Sequence, residues 1–202
     1  LLVPVLASRL PPMPTATPAL VLLIAGEAFY GAFIGLVARL IVVAVETAGM
    51  MIAMQVSLSN ASVFNPAMSS QSSQVSALLG MTALILLFAT NLHHLLLLAV
   101  ADSYTVFLPG TVPVYGDFAN TYGKLMDESF AIGAQLAAPF IVMGLVFYLG
   151  LGLLSRLMPQ LQIFFVAIPA QIYLGLALLG MFMSALMLVW LTYAQTTVQG
   201  FL

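Results

Sequence analysis

The chain has 202 residues, of which 63% are hydrophobic and only 5% are Asp, Glu, Lys or Arg. Soluble domains carry roughly a quarter charged residues, so this composition excludes an ordinary soluble protein and is typical of one that lies in a membrane. Four Lys and Arg residues and a net charge of −2 exclude a basic surface for nucleic acid. The absence of cysteine excludes disulfides, thiolate metal sites and thiol catalysis.

Residues 8–18, SRLPPMPTATP, predict a loop. The chain begins Leu1-Leu2-Val3-Pro4, without an initiator methionine or the basic segment of a secretory signal, and we expect residue 1 to be an internal position of a longer protein. Four prolines between residues 8 and 18 disfavour a helix, since proline lacks a backbone N–H and restricts the residue before it. We expect one domain over residues 1–202, with several membrane-length helices after Pro18.

A continuous helix is predicted from Ala19 to Met54, where the sequence is mostly apolar. This segment is too long for one untilted span, which needs about 20 residues, so we expect it to tilt, bend or re-enter. Gly31 and Gly35 within it have the small-xxx-small spacing that lets membrane helices approach closely. They are the predicted helix-packing positions.

Three ionisable residues in this apolar region, Glu27, Arg39 and Glu46, are functional candidates because charges within a membrane are expensive. Arg39 and Glu46 share one stripe of the predicted helix and are about 10 Å apart along its axis. We therefore expect them not to pair directly, and to make inter-subunit polar contacts instead. Two alternatives remain for Glu46: it lies at the level of the lipid headgroups, or it belongs to a proton relay.

The next segment, SLSNASVFNPAMSSQSSQVS at residues 57–76, is polar but carries no charge. Thirteen Ser, Asn and Gln residues lie between Gln55 and Ser76, and Asn65-Pro66 is a turn signal. Polar backbone at membrane depth is tolerated only when it is buried in protein or faces a water-filled cavity. We therefore expect this segment to lie inside an assembly, near a central passage. The alternative is a flexible Ser-rich linker in solvent.

The second apolar segment, Ala77 to Val100, is interrupted at residues 90–94 by Thr-Asn-Leu-His-His. These residues either decorate one spanning helix or form a turn between two short helices, and we favour the turn. His93 and His94 could suggest a metal site, but adjacent helical residues point about 100° apart and cannot chelate one ion together. No metal site is predicted, and the pair is assigned to a turn or an interface.

The most hydrophilic part of the chain is residues 102–128, with five of the ten Asp, Glu, Lys and Arg residues, two prolines and three glycines. We predict a water-exposed polar loop there. A third apolar segment, 129–154, contains Pro139, and a fourth, 162–191, contains Pro169. Because prolines kink or break helices, the prediction is an all-α fold of kinked helical hairpins. Pro169 should break the last segment, and the polar tail 192–199 should leave the membrane.

No enzyme signature appears in the sequence. No serine lies in a G-x-S-x-G motif, no pair of carboxylates is predicted to share a cavity, and no Gly-rich phosphate loop follows a strand. The chain is therefore not expected to be an enzyme, and no cofactor is predicted.

Several short motifs, in their order along the chain, resemble the family of the flagellar biosynthetic protein FliR. They are Glu46-Thr-Ala-Gly49, MQVSLSNASVFNP at 54–66, Asn91-Leu92-His93 and RLMPQLQIFFVAIPAQIYLGL at 156–176. The resemblance extends from about Ala19 to Leu191. Asn65 and Leu92 stand where the family usually has Asp and Gly, and Gln171 stands where it often has Lys. These departures concern the details of the loop and any charged contact at Gln171.

The resemblance implies a subunit of the export gate of the flagellar type III secretion apparatus. In that family a single FliR subunit joins FliP and FliQ subunits in a helical assembly in the bacterial inner membrane, at the flagellar basal body. Further export-apparatus membrane proteins and unfolded export substrates are implied as partners. The energy for export is implied to come from the proton gradient and a separate ATPase.

By position, residues 59–74 or so correspond to the family's plug of the closed pore. The implied plug residues are Ser59, Asn60, Phe64, Asn65, Pro66, Met68, Gln71 and Gln74. A neutral plug suits substrates of every sequence, because a fixed charge would hold some of them and repel others. The homologous gate subunit of a virulence injectisome is an alternative that fits nearly the same residues. A rival of another class is a proton-coupled small-molecule transporter that uses Glu27, Glu46 and the histidine pair.

Overall fold

The structure, a computed structural model, describes residues 15–57, 73–106, 115–157 and 163–200. Within these ranges every regular element is an α-helix, which confirms the predicted all-α class. Five helices follow one another: α1 is Thr17–Gln55, α2 is Gln74–Ala89, α3 is Leu92–Val106, α4 is Tyr115–Leu157 and α5 is Ile163–Gln199.

The first helix is continuous, as predicted, and has 39 residues, or about 58 Å at 1.5 Å per residue. It begins at Thr17, with Pro18 in its first turn, where proline loses no helical hydrogen bond. At the other end the Val56 N–H donates to the Ile52 carbonyl, and Ser57 adopts a left-handed backbone with φ 61°. The chain therefore leaves the helix direction at Ser57.

A sharp break between α2 and α3 confirms the predicted turn at the second apolar segment. The two helices are bent by 74°, as a broken span or a re-entrant pair would be. Asn91 has a φ of 59°, a backbone conformation that Asn tolerates better than most residues with a Cβ. The Thr90 hydroxyl donates to the Leu86 carbonyl at 2.7 Å, so a carbonyl in the last turn of α2 gains an extra partner.

The start of α4 corrects the prediction of a polar loop. Residues 102–106 belong to α3 and residues 115–128 to α4, while 107–114 lie outside the described residues. Asp117 in the first turn of α4 stabilises a helix N-terminus, and Lys124, Leu125 and Met126 are good helix formers. Most side chains of 116–128 are nevertheless exposed, so this polar stretch is solvent-accessible but helical.

Two prolines lie inside long helices rather than ending them. Pro139 is within α4 and Pro169 within α5, so the prediction that Pro169 breaks the last segment is wrong. Neighbouring helices and local adjustment compensate for the missing hydrogen bond in membrane helices. The tail 192–199 also continues α5, and Tyr193 and Val198 are buried in the core, so it is part of the packed bundle.

The core forms around the C-terminal half of α1, which packs against α2, α4 and α5. The α1 side chains that are at most 1% exposed are Ile41, Ala44, Val45, Ala48, Ile52 and Ala53. Several are small, so the neighbouring helices approach closely. Trp190 of α5 is fully buried against this surface, and its Nε1 donates to the Ile41 carbonyl at 2.8 Å.

Three of the helices, α1, α4 and α5, are long and apolar enough to cross a membrane, and the bent pair α2 and α3 adds a fourth span if it is counted as one. Within the described residues, the chain itself buries 28% of the most apolar window of α1 and 22% of those of α4 and α5. The remaining apolar faces require lipid or other chains, because exposing so much apolar surface to water is unfavourable.

Candidate functional site

The long helix α1 ends at a polar cluster that we call the exit node, made of the buried Ser57 and Gln171, the half-buried Gln55 and the exposed Tyr148. The Ser57 hydroxyl donates to Gln171 Oε1 at 2.8 Å. Gln171 Nε2 donates to the Gln55 backbone carbonyl and to the Tyr148 hydroxyl, the latter at 3.3 Å. Ser57 and Gln171 are 4% and 2% exposed. One amide from α5 therefore joins α1 and α4 where the chain enters segment 58–72.

Two glycines let the helices close around the exit node. A Cβ on Gly175 of α5 would collide with the Val56 side chain, and a Cβ on Gly144 of α4 would collide with the Gln55 side chain. Gly175 therefore permits a close approach that alanine would obstruct, whereas at Gly144 the nearest atoms belong to the flexible end of the Gln55 side chain, which can move. Because Val56 is itself 1% exposed, the end of α1 is enclosed on the sides of α4 and α5.

A second cluster, the return node, holds the chain where it comes back as α2; it consists of Glu46, Gly49, Ser73 and Ser76. The Ser76 hydroxyl donates to the Glu46 carbonyl at 2.9 Å. Ser73 is the N-cap of α2, and its hydroxyl accepts from the Ser76 N–H at 3.5 Å, the usual role of serine at this position. A Cβ on Gly49 would collide with the Ser76 backbone. Segment 58–72 is therefore tied to α1 at both ends.

The structure corrects the prediction for Arg39 and Glu46. Arg39 Nη2 lies 3.0 Å from Glu46 Oε2, an ion pair between side chains that are 61% and 31% exposed. The distance between the two charged groups is shorter than the distance between the two positions along the helix axis. The Glu46 side chain leans toward the helix N-terminus, and the long Arg39 side chain spans the remaining distance. Their predicted contacts with another subunit stay a prediction.

Glu27, the third ionisable candidate, lies between α1 and α3. Its carboxyl is hydrogen-bonded to the Tyr104 side chain. The two residues line a cavity of about 50 Å³ together with Ser103 and Tyr30, room for a water molecule or two. The arrangement joins the two helices through a polar contact.

The histidine pair lies at the break between α2 and α3, where the turn was predicted. The centroid of the His93 ring lies 4.1 Å from that of His94 and 5.0 Å from that of Phe88, and the ring planes are tilted by 36° and 40°. His93 Nδ1 is buried without a hydrogen-bond partner. Among the described residues no group of three His, Asp or Glu side chains could hold a metal ion.

The remaining predicted residues divide into two groups. Gly31 and Gly35 are exposed, and a Cβ at either would meet nothing within 4 Å, so close packing at these glycines stays a prediction about another chain. Gln74 is exposed in the first turn of α2. The other predicted plug residues lie outside the described residues: Ser59, Asn60, Phe64, Asn65, Pro66, Met68 and Gln71.

Sequence reasoning missed the serine contacts that form the two nodes. Ser57 and Ser76 were two among thirteen similar polar residues, with no pattern to distinguish them. Ser129 and Tyr193, whose hydroxyls are 2.8 Å apart in the core, were also missed. Trp190 had a usable signal, because it is the single Trp of the chain and a buried indole N–H usually finds an acceptor.

The described residues define an all-helical protein with three helices long and apolar enough to cross a membrane. Residues 1–197 match the family of bacterial export proteins, family 1. The chain belongs to this family, the FliR family, as the resemblance of its motifs predicted.

Three relatives indicate the range of the family. The chain is 42% identical over 191 residues to the flagellar biosynthetic protein FliR of Caulobacter vibrioides, which covers 94% of this chain and 76% of the relative. It is 33% identical over 146 residues to FliR of Bacillus subtilis, covering 71% and 56%. It is 33% identical over 155 residues to Yop proteins translocation protein T of Yersinia pestis, covering 74% and 58%. The chain thus spans three quarters of the first relative and a little over half of the other two.

Proposed function

We propose that this chain is a subunit of the export gate of the bacterial flagellar type III secretion apparatus, and that the implied plug, about residues 59–74, obstructs the closed pore. The observation that carries the proposal is the pair of nodes: on either side of an uncharged, polar segment the flanking residues are fixed by side-chain hydrogen bonds, Ser57 to Gln171 of α5 and Ser76 to the Glu46 carbonyl of α1. A solvent linker needs no such attachment. Family membership and the relatives named FliR support the flagellar assignment.

The chemistry of the segment suits a seal against which unfolded chains slide. It carries no charge, so it neither retains nor repels substrates according to their own charge. Phe64 and Met68 are the largest apolar residues of 59–74; methionine adapts to irregular neighbours, and an apolar constriction can gate by dewetting. Serine, asparagine and glutamine side chains satisfy an irregular backbone locally.

The proposed partners are FliP and FliQ subunits, other membrane proteins of the export apparatus and unfolded substrates. The apolar faces that the chain leaves uncovered on α1, α4 and α5 suit packing against further membrane helices. The proposed location is the inner membrane at the flagellar basal body. A gate subunit of a virulence injectisome is the second candidate, because the Yersinia pestis relative bears a translocation name.

The test places a single cysteine at Phe64 in a chain that has no native thiol, and traps an export substrate in the assembled complex. A second variant, Leu188→Cys, provides a matched control on the exposed face of α5, where Leu188 is 63% exposed. We expect Phe64→Cys to form a crosslink to the trapped substrate and Leu188→Cys to form none. Equal crosslinking at both positions would contradict a pore position for Phe64.

A further inference from the structure

At the C-terminus of α1, a backbone carbonyl accepts a hydrogen bond from a side chain of another helix, α5. The last carbonyls of any helix lack partners within the helix. Here the Val56 N–H donates to the Ile52 carbonyl and the Ser57 N–H to the Met54 carbonyl, at 2.9 and 3.3 Å. The Gln55 carbonyl accepts from the side-chain amide of Gln171.

Both ends of the Gln171 amide take part in this cap. Nε2 donates to the Gln55 carbonyl and the Tyr148 hydroxyl, while Oε1 accepts from the Ser57 hydroxyl. The side chain is 2% exposed, so water cannot replace these partners. A buried polar group that loses its partner costs considerably more than the bond itself contributes.

We propose that Gln171 is a positioning residue that caps α1 from α5 and fixes the point where the chain leaves that helix. The requirement of the site is a hydrogen-bond donor facing the Gln55 carbonyl. The inference is independent of any role in sealing; only its consequence for ion leak rests on the proposed function.

This requirement ranks the possible replacements of Gln171. A lysine ammonium has three donors, so it can serve the Gln55 carbonyl and the Tyr148 hydroxyl, and the Ser57 hydroxyl can rotate to accept. Its charge is also favoured at the negative end of the helix dipole. A glutamate carboxylate has no proton to donate and would face both the Gln55 carbonyl and that negative end. Methionine has similar length but no donor.

The test is amide hydrogen exchange in the assembled membrane complex, read from peptides that cover residues 52–57. Variants Gln171→Lys, Gln171→Met and Gln171→Glu are compared with Gln199→Glu, a control on the exposed end of the same helix. We expect exchange at Val56 and Ser57 to rise about tenfold in Gln171→Glu, the effect of a buried acceptor left without a partner. Gln171→Met should lie in between, and Gln171→Lys and the control should stay close to wild type.

Three results would overturn the inference. One is wild-type protection in Gln171→Glu at a pH high enough to keep the new carboxyl ionised, and another is wild-type protection in Gln171→Met, since either would show that the donor is unnecessary. The third is equal loss in Gln171→Lys and Gln171→Met, which would indicate packing alone. If Gln171→Glu fails to assemble, the test uses the difference in exchange at Val56 and Ser57 between Gln171→Lys and Gln171→Met. An unchanged ion leak in variants with raised exchange would count against the proposed seal, not against the cap.

Discussion

Replacing Gly49 by alanine should destabilise the chain, because Gly49 is where α1 touches the backbone of α2. A Cβ at this position would lie 2.7 Å from the Ser76 backbone nitrogen and closer still to its Cα. Backbone atoms cannot rotate away, so α2 itself must shift and the hydrogen bond from the Ser76 hydroxyl to the Glu46 carbonyl is strained.

The size of the effect follows from two opposing terms. Overpacking a tight core costs about 1–3 kcal/mol, whereas alanine gains about 0.5–1 kcal/mol over glycine within a helix. We therefore expect a net loss of about 1–2 kcal/mol. For a domain of this size that loss corresponds to a fall in melting temperature of about 2–4 °C per kcal/mol.

The matched control is Gly144→Ala, where the obstructing atoms belong to the Gln55 side chain, which can move. The assay is thermal unfolding of the purified protein in detergent, followed by the fluorescence of Trp190, the single tryptophan, which is fully buried. Gly144→Ala should change the melting temperature little. If Gly49→Ala melts at or above the temperature of Gly144→Ala, the close contact at the return node does not exist.

Three further predictions concern other contacts of α1. Trp190→Phe removes the hydrogen bond to the Ile41 carbonyl and should cost about 1–3 kcal/mol, measured by thermal unfolding with circular dichroism; no loss would contradict a buried indole bond. A double-mutant cycle of Arg39→Gln and Glu46→Gln should give a coupling energy below about 1 kcal/mol, because Arg39 is 61% exposed, and a coupling of several kcal/mol would show that the pair is desolvated. Gly31→Leu should leave the melting temperature of the isolated chain unchanged, since nothing lies within 4 Å of a Cβ there. It should reduce co-purification with FliP and FliQ, and normal co-purification would show that Gly31 is not in the interface.

The helical class and the turn at Asn91 could be predicted because they depend on local signals. Long apolar segments must form helices in a membrane, where each backbone group needs an internal partner. The interruption at residues 90–94 was visible as polar residues within an apolar run. The residue that adopts the left-handed backbone there is Asn91, one of the types that tolerate it.

The errors arose where tertiary structure or side-chain reach decided the outcome. Glycines and charges at 116–128 suggested a loop, yet these residues form the N-terminal part of α4, with Asp117 in its first turn. An axial distance of about 10 Å between backbones suggested that Arg39 and Glu46 could not meet, yet their flexible side chains form an ion pair. Composition describes neither the packing of a helix nor the length that a side chain can span.

The exit node could not be predicted, because its central hydrogen bonds join Gln171 to Ser57 and Gln55, which are more than a hundred residues away in the chain. Ser57 and Gln171 are separated by 114 positions. The sequence marked Gln171 only as a departure from the lysine often present in the family, and marked Ser57 only as one polar residue among many. Their pairing requires α5 to return alongside the end of α1, which no local pattern encodes.

The most direct test of a sealing segment is the resting ion leak of membranes that contain the assembled complex, with and without residues 60–71. This deletion retains the Ser57 and Ser76 contacts that hold the two nodes. The amount of complex is matched by quantifying the co-purified subunits. We predict that the deletion raises the resting leak well above that of the intact complex. A leak that is unchanged at equal amounts of complex would contradict the proposal that this segment closes the pore.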